Sequence, residues 1–365
     1  MWRVAVVRSG YLPSLDGLRA ASILLVLVGH AEISSRSPGG FGVTVFFFLS
    51  GYLITTLLLR EQDRYGTISM RQFYLRRVLR LMPPLVLTLA AAMLLSAFGL
   101  ARGQLDLGTL TSQLLFYFNY YAQVAAPQLV EGLGILWSLS VEEHFYLIWP
   151  AIFVALMRNT IRMRHLVLLL AIILAWRYYR VIGWGDPDWK IYFSTDTRFD
   201  SLLYGCILAI VQQRYPDFDR RFRSGPAMYA ILALSLGVLL FTLAYRDEMF
   251  RSTLRYSLQG IALMPIFHFA VNCPDAIVFR PLNWAIMRRI GVWSYTMYLS
   301  HYVIMYALAA NDVAAFGSLS ILLWSLALSC LWSALVFELA EKPLMPWRRR
   351  LSLHPGSVPQ GAAAD

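Results

Sequence analysis

Charge is scarce in this chain. Asp, Glu, Lys and Arg make up only 15% of its 365 residues, where a soluble globular domain carries about 25%. That shortage argues against an ordinary water-soluble globule. Acidic residues are the scarcer kind, 21 against 32 Lys and Arg, for a net charge of +11. Cysteine is nearly absent. Cys206, Cys273 and Cys330 lie far apart with no CxxC or other metal spacing, so no disulfide framework and no metal site are expected. The N-terminus, MWRVAVVRSG, lacks an apolar stretch followed by a small-residue cleavage site. No removable signal peptide is expected, and the first apolar segment should stay in place. No internal repeat is visible.

What the chain has in excess is apolar length. Hydrophobic residues make up 58%, and the mean hydropathy is +0.55. They gather in runs long enough to cross a bilayer, which takes about 20 helical residues each. The reading is an all-α polytopic membrane protein with ten transmembrane helices, near 14–33, 41–59, 81–100, 134–157, 165–183, 199–213, 226–245, 253–271, 290–310 and 316–339. The segment 108–124, GTLTSQLLFYFNYYAQV, is apolar but short and aromatic, and reads as re-entrant or interfacial. Charge parity supports this. With both termini cytoplasmic, inside loops hold clusters such as Arg60, Arg64 and Arg71, while outside loops hold little more than Arg36, Arg102, Lys190, Arg246 and Arg251. Counting 108–124 as a span reverses every later loop and breaks the positive-inside pattern. The basic excess therefore sets orientation, and nucleic acid is not an expected partner. One membrane domain, 1–346, is expected, followed by a disordered cytoplasmic tail, 347–365. The expected location is the inner (plasma) membrane.

Ionisable groups inside a span cost about 2.5–3.5 kcal/mol each on insertion scales, so they are candidates for function. The first span, SLDGLRAASILLVLVGHAE, holds Asp16, Arg19 and His30. At about 100° per residue, Arg19 and His30 fall within roughly 20° of each other, and Asp16 within about 60° of Arg19. The three form one stripe. A rise of about 1.5 Å per residue separates Arg19 from His30 by about 16 Å. Arg19 then sits near the cytoplasmic face and His30 deep in the outer half. Each has a plainer reading: Asp16 as a helix cap, Arg19 as a snorkelling anchor, His30 as an interfacial hydrogen-bonder. Histidine, however, is the usual general base near neutral pH.

Five further segments carry polar residues at membrane depth. In GGFGVTVFFFLSGYL, Ser50 and Gly51 allow close approach of a backbone or ligand, and equally suit helix packing. In FYLRRVLRLMPP, Arg76, Arg77 and Arg80 suit phosphate groups or, as plainly, anionic lipid. In LWSLSVEEHFYLIWP, Glu142 and Glu143 are adjacent and point about 100° apart, so one at most faces a given site. In STDTRFDSLLYG, Asp196, Arg198 and Asp200 open a span from outside, where mutual ion pairing is the plain alternative. In SYTMYLSHYV, His301 lies within a span, where a single His more often satisfies packing than acts as a base.

Taken in order, LDGLRA with GH, FFFLSGYL, YLRRVLRLMPP, WSLSVEEHFYLIWP, TDTRFDSLLYG and YTMYLSHYV resemble the acyltransferase 3 family of membrane acyltransferases. The resemblance runs over residues 11 to 343. It implies about ten spans and transfer of an acyl group, usually acetyl, from cytoplasmic acyl-CoA to a hydroxyl, commonly of a cell-surface carbohydrate. It also implies a catalytic role for His30 with Arg19 as its partner. Some members add an extracytoplasmic SGNH hydrolase-like domain, which is not expected in these residues.

These readings give a chemical expectation. Arg19, Arg76, Arg77 and Arg80 hold the polyanionic end of acyl-CoA, which acts as co-substrate with no tightly bound cofactor. Its arm reaches toward His30. His30 deprotonates a carbohydrate or lipid-linked glycan hydroxyl, with Glu142 or Glu143 orienting it, or forms an acyl-histidine. Ser50, Asp16, Asp196, Arg198 and Asp200 support the site. Two rivals remain: acylation of a small molecule such as a macrolide, and transport, since polar residues also line substrate paths.

Overall fold

The computed structural model describes residues 12–35, 37–216, 222 and 225–351. The expectations for Arg36 and for the tail beyond 351 lie outside the described residues. All regular structure among the described residues is helical. Fifteen α-helices follow in order: α1 Pro13–His30, α2 Gly39–Tyr65, α3 Met70–Ala97, α4 Leu107–Leu114, α5 Phe118–Val124, α6 Trp137–Met157, α7 Met163–Ile182, α8 Asp188–Phe193, α9 Thr195–Arg214, α10 Pro226–Ala244, α11 Glu248–Ser252, α12 Leu254–Asn272, α13 Ala285–Ala310, α14 Leu319–Val336 and α15 Lys342–Arg350. The 347–365 segment expected to be disordered therefore opens in helix, as the end of α15.

Among the described residues six stretches are long and apolar enough to cross a membrane: Gly39–Tyr65, Met70–Ala97, Leu133–Met157, Met163–Ile182, Pro226–Ala244 and Leu319–Arg348. The chain is a multi-pass membrane protein. The remaining long helices, α1, α9, α12 and α13, run 18, 20, 19 and 26 residues. Their length suffices, but polar side chains lower their hydropathy. Those are the interior helices. α1 packs between α2 and α13, and α9 packs on α2, α7 and α12. α7 and α10 lie outside them, each with only 22% of its most apolar window buried, against 72% for α2. The outer helices present apolar side chains such as Leu168, Ile172, Leu234 and Leu240. Lipid covers that surface, and the polar groups collect where protein covers them.

Close backbone approach fixes the centre. A Cβ on Gly51 of α2 would overlap the Leu202 carbonyl of α9, and one on Gly205 of α9 would overlap the Phe48 carbonyl of α2. The pair lets the two helices cross almost in backbone contact.

The bundle has two distinct ends. At one end Gly29 touches Gly39, Gly317 N–H donates to the Ala31 carbonyl, and Asn311 donates to the Leu100 carbonyl. At the other, Ser14 donates to Asn283 and Gln213 to Asp63. His30 belongs to the first end, and the Arg-rich loops to the second.

The 108–124 segment forms α4 and α5, of 8 and 7 residues, broken where Phe116 takes φ +57°. Neither is long enough to span. Asp106 caps α4, accepting from Thr109 N–H at 2.9 Å, from the Thr109 hydroxyl at 2.5 Å and from Gln128 N–H at 3.0 Å. Those bonds, the Thr109 hydroxyl first, hold its carboxyl below the usual carboxylate range.

Candidate functional site

His30 is the last residue of α1. Its Nδ1 lies 2.8 Å from Nε2 of His301, which is fully buried on α13. Its ring stacks on Tyr302, with centroids 4.3 Å apart. His301 Nδ1 in turn faces two backbone oxygens of its own helix, Tyr298 at 2.9 Å and Met297 at 3.1 Å. A carbonyl can only accept, so His301 Nδ1 carries hydrogen. Neutral His301 then offers Nε2 as a lone pair, and His30 Nδ1 donates to it. The second nitrogen of His30, Nε2, is left with its lone pair. Three ordinary hydrogen-bonding rules thus fix one tautomer of a base.

The expected carboxylate partner of His30 is elsewhere. Glu142 on α6 lines a narrow cavity of about 80 Å³ shared with Arg19, Ser50, Arg77, Arg80, Tyr295 and Tyr298. Its carboxylate accepts from the Tyr146 hydroxyl at 3.0 Å, and Arg77 stacks 3.4 Å over the Tyr146 ring. Glu143 does not line this cavity, as expected for adjacent positions on one helix. The Tyr298 hydroxyl meets that of Ser138 at 2.7 Å. The cavity wall at Tyr298 is therefore one helical turn from His301. The position that sequence reasoning gave to a carboxylate, beside the His30 imidazole, is filled by a second imidazole.

Arg77, Arg80 and Leu57 also line a wider cavity of about 540 Å³ at the opposite end of the bundle from His30. Arg60, Arg64, Arg76 and Arg348 join them there, with Glu61 the one carboxylate in its wall. Arg76 is committed to structure. Its Nη2 pairs with Glu61 at 2.7 Å, and its Nη1 donates to the Leu351 carbonyl at 2.7 Å. Arg77 and Arg80 thus join the wide vestibule to the narrow waist, which Arg19 also lines. Asp16 stands with Arg19 on α1, its backbone carbonyl lying against Gly291 of α13. Arg60, Arg64 and Arg348 were legible only as loop charges.

Asp196, Arg198 and Asp200 do not pair with one another. Asp200 binds Arg177 of α7 at 2.8 Å, both fully buried, and Asp196 binds Arg180 of α7 at 3.1 Å. The sequence signal was there in α7, two arginines at i, i+3 within an apolar run. Arg198 instead lies between the rings of Tyr256 at 4.0 Å and Tyr192 at 5.0 Å, and donates through Nη2 to Thr44 at 3.0 Å. Among the described residues no group of three His, Cys, Asp or Glu is placed to hold a metal ion.

Comparison with known proteins adds to this geometry. The model of the acyltransferase 3 family, described as an acyltransferase domain, matches residues 12–338. A peptidoglycan O-acetyltransferase of Listeria monocytogenes is 31% identical over 313 residues, 81% of this chain and 49% of the relative. A putative peptidoglycan O-acetyltransferase of Bacillus subtilis is 28% identical over 94% of this chain and 57% of its own length. An O-acetyltransferase of Staphylococcus aureus is 27% identical over 92% and 57%. The chain spans about half the length of these curated relatives. No solved structure matches.

Proposed function

Because the chain belongs to the acyltransferase 3 family, we propose that it transfers an acyl group, acetyl by preference, from acyl-CoA at the Arg-rich end to a hydroxyl of a surface or exported carbohydrate at the His30 end. The observation that carries this reading is the ordered pair His30–His301, which leaves His30 Nε2 as a free base. Relatives named as peptidoglycan O-acetyltransferases support a surface glycan as the acceptor class.

The vestibule suits a nucleotide. Six guanidiniums face one carboxylate, and Arg forks match phosphate oxygens. The waist beyond it admits a slender arm and excludes the nucleotide. Arg77 and Arg80 sit where the two meet, with Arg19, Glu142, Tyr146 and Ser50 in its walls.

In the transfer, the acceptor hydroxyl gives its proton to His30 Nε2 as its oxygen attacks the thioester carbonyl. The C–S bond breaks, and the departing thiolate takes that proton from His30. His301 holds the ring throughout by accepting from Nδ1–H. General-base help of this kind contributes about 10²–10⁴-fold. Glu142 acts on the donor side, with Arg19 and Arg77, rather than on the imidazole. In this reading ten helices cross the plasma membrane and both termini are cytoplasmic, so that Arg19 faces the donor compartment and His30 the acceptor.

The test is acetyl transfer by the purified full chain in nanodiscs, with radiolabelled acetyl-CoA and glycan acceptors. His30→Ala should lower the rate at least a hundredfold at normal protein levels. An unchanged rate overturns the proposal.

A further inference from the structure

A third cavity, of about 310 Å³, opens at the His30 end and takes no part in the transfer described so far. The start of α2, α8, the end of α10, α11 and the start of α12 enclose it. Its volume is that of a small-molecule site. Its chemistry is uneven in two respects.

The first is charge. Arg246, Arg251 and Arg255 line it, against one carboxylate, Asp188. That carboxylate is already engaged. It accepts from Ser252 at 3.1 Å and lies 3.9 Å from Arg251. Among the described residues Arg246 donates to the Ser35 carbonyl alone, at 3.5 Å. Arg255 donates through Nη2 to the Tyr256 hydroxyl at 2.8 Å, while its buried Nε has no partner among the described residues. Behind the wall lies Arg198, fully buried, with Nε and Nη1 also unpartnered among the described residues. Its remaining donor goes to Thr44, a wall residue of the cavity. An unpaired guanidinium so deep is costly unless an anion approaches it.

The second is the aromatic wall. Tyr192 and Tyr256 line the cavity, with hydroxyls and faces suited to a sugar ring. Tyr192 also touches the position of Gly40. The next residue back, Gly39, packs on Gly29, the neighbour of His30. A glycan unit held in this cavity is thus adjacent to the turn that carries the base.

We infer that this cavity is the acceptor subsite, and that it selects a glycan unit bearing a negative charge, as a carboxylate or a phosphate. The inference rests on the proposal that the acceptor arrives at the His30 end. It adds the acceptor's charge, and it assigns its recognition to Arg246, Arg251 and Arg255.

Three acceptors test it with the full chain in nanodiscs: neutral chitotriose, trigalacturonate, and polyprenyl pyrophosphate-linked N-acetylglucosamine. Binding is measured by titration calorimetry and transfer with labelled acetyl-CoA. At least one charged acceptor should bind about tenfold more tightly than chitotriose. Which one does so separates a carboxylate from a phosphate source. Arg255→Gln and the exposed-rim variant Arg246→Gln should each raise KM for that acceptor about tenfold, with kcat and the chitotriose KM within twofold. Arg255→Lys should restore part of the loss. Equal binding of all three acceptors, or variants that weaken neutral and charged acceptors alike, overturns the inference. Loss of transfer with every acceptor while charged binding persists overturns the proposed function and leaves the subsite standing.

Discussion

His30 is held on one side by His301 and on the other by Tyr302. A base fixed in this way depends on its neighbour's ability to accept one hydrogen bond. Replacing His301 with Leu removes the acceptor and frees the tautomer, which should lower kcat about tenfold to a hundredfold with little change in KM for acyl-CoA. Replacing it with Gln supplies an amide oxygen to His30 Nδ1–H and should recover part of kcat. Steady-state rates for the two variants decide the matter, since a purely packing role would leave Gln and Leu alike. At this scale the sequence was half legible. Helical periodicity alone placed Arg19 and His30 on one stripe, because α1 is regular throughout. The partner was not legible, because His301 lies 271 residues away and only tertiary packing brings it to His30. The same holds for Asp200 and Asp196, whose arginines come from α7 rather than from their own helix.

Among the elements, α2 and α9 cross almost in backbone contact. Gly51→Ala should force them apart, lowering the unfolding temperature and the transfer rate together, whereas Gly134→Ala, with open space around it, should leave both unchanged. Thermal unfolding in detergent beside a transfer assay checks this. The short pair α4 and α5 has a different dependence. The Asp106 carboxyl is held below its unfolded value by bonds made only in the folded cap. Such a group stabilises above its unfolded pKa, and the contribution is lost as pH falls through the lower, folded value. Amide exchange over residues 107–124, corrected for intrinsic rate, should therefore stay slow at neutral pH and accelerate below the ordinary carboxylate range. Asp106→Asn should show the faster exchange already at neutral pH. The apolar outer helices were easily read from their hydropathy. The polar inner ones, α1, α9, α12 and α13, fall as helices within the other expected spans, but the groups that line a protein-covered interior weaken their apolar signal. The true start of α3 at Met70, eleven residues before the expected span, was missed because its first turns are basic.

Seen whole, the molecule is a bundle with a broad cationic mouth at one end, an aromatic and cationic cavity at the other, and a waist of about 80 Å³ beside the first. The waist has an electrical consequence. In the proposed transfer the phosphates stay at the arginines, and only an uncharged acyl group and a compensating hydrogen change sides. Each turnover is electroneutral. Its rate in sealed vesicles should therefore not change when a potassium diffusion potential of either sign is imposed, as measured by acetyl transfer with valinomycin present. A transporter moving an anionic acyl donor through the same bundle would carry charge, and its rate would follow the voltage.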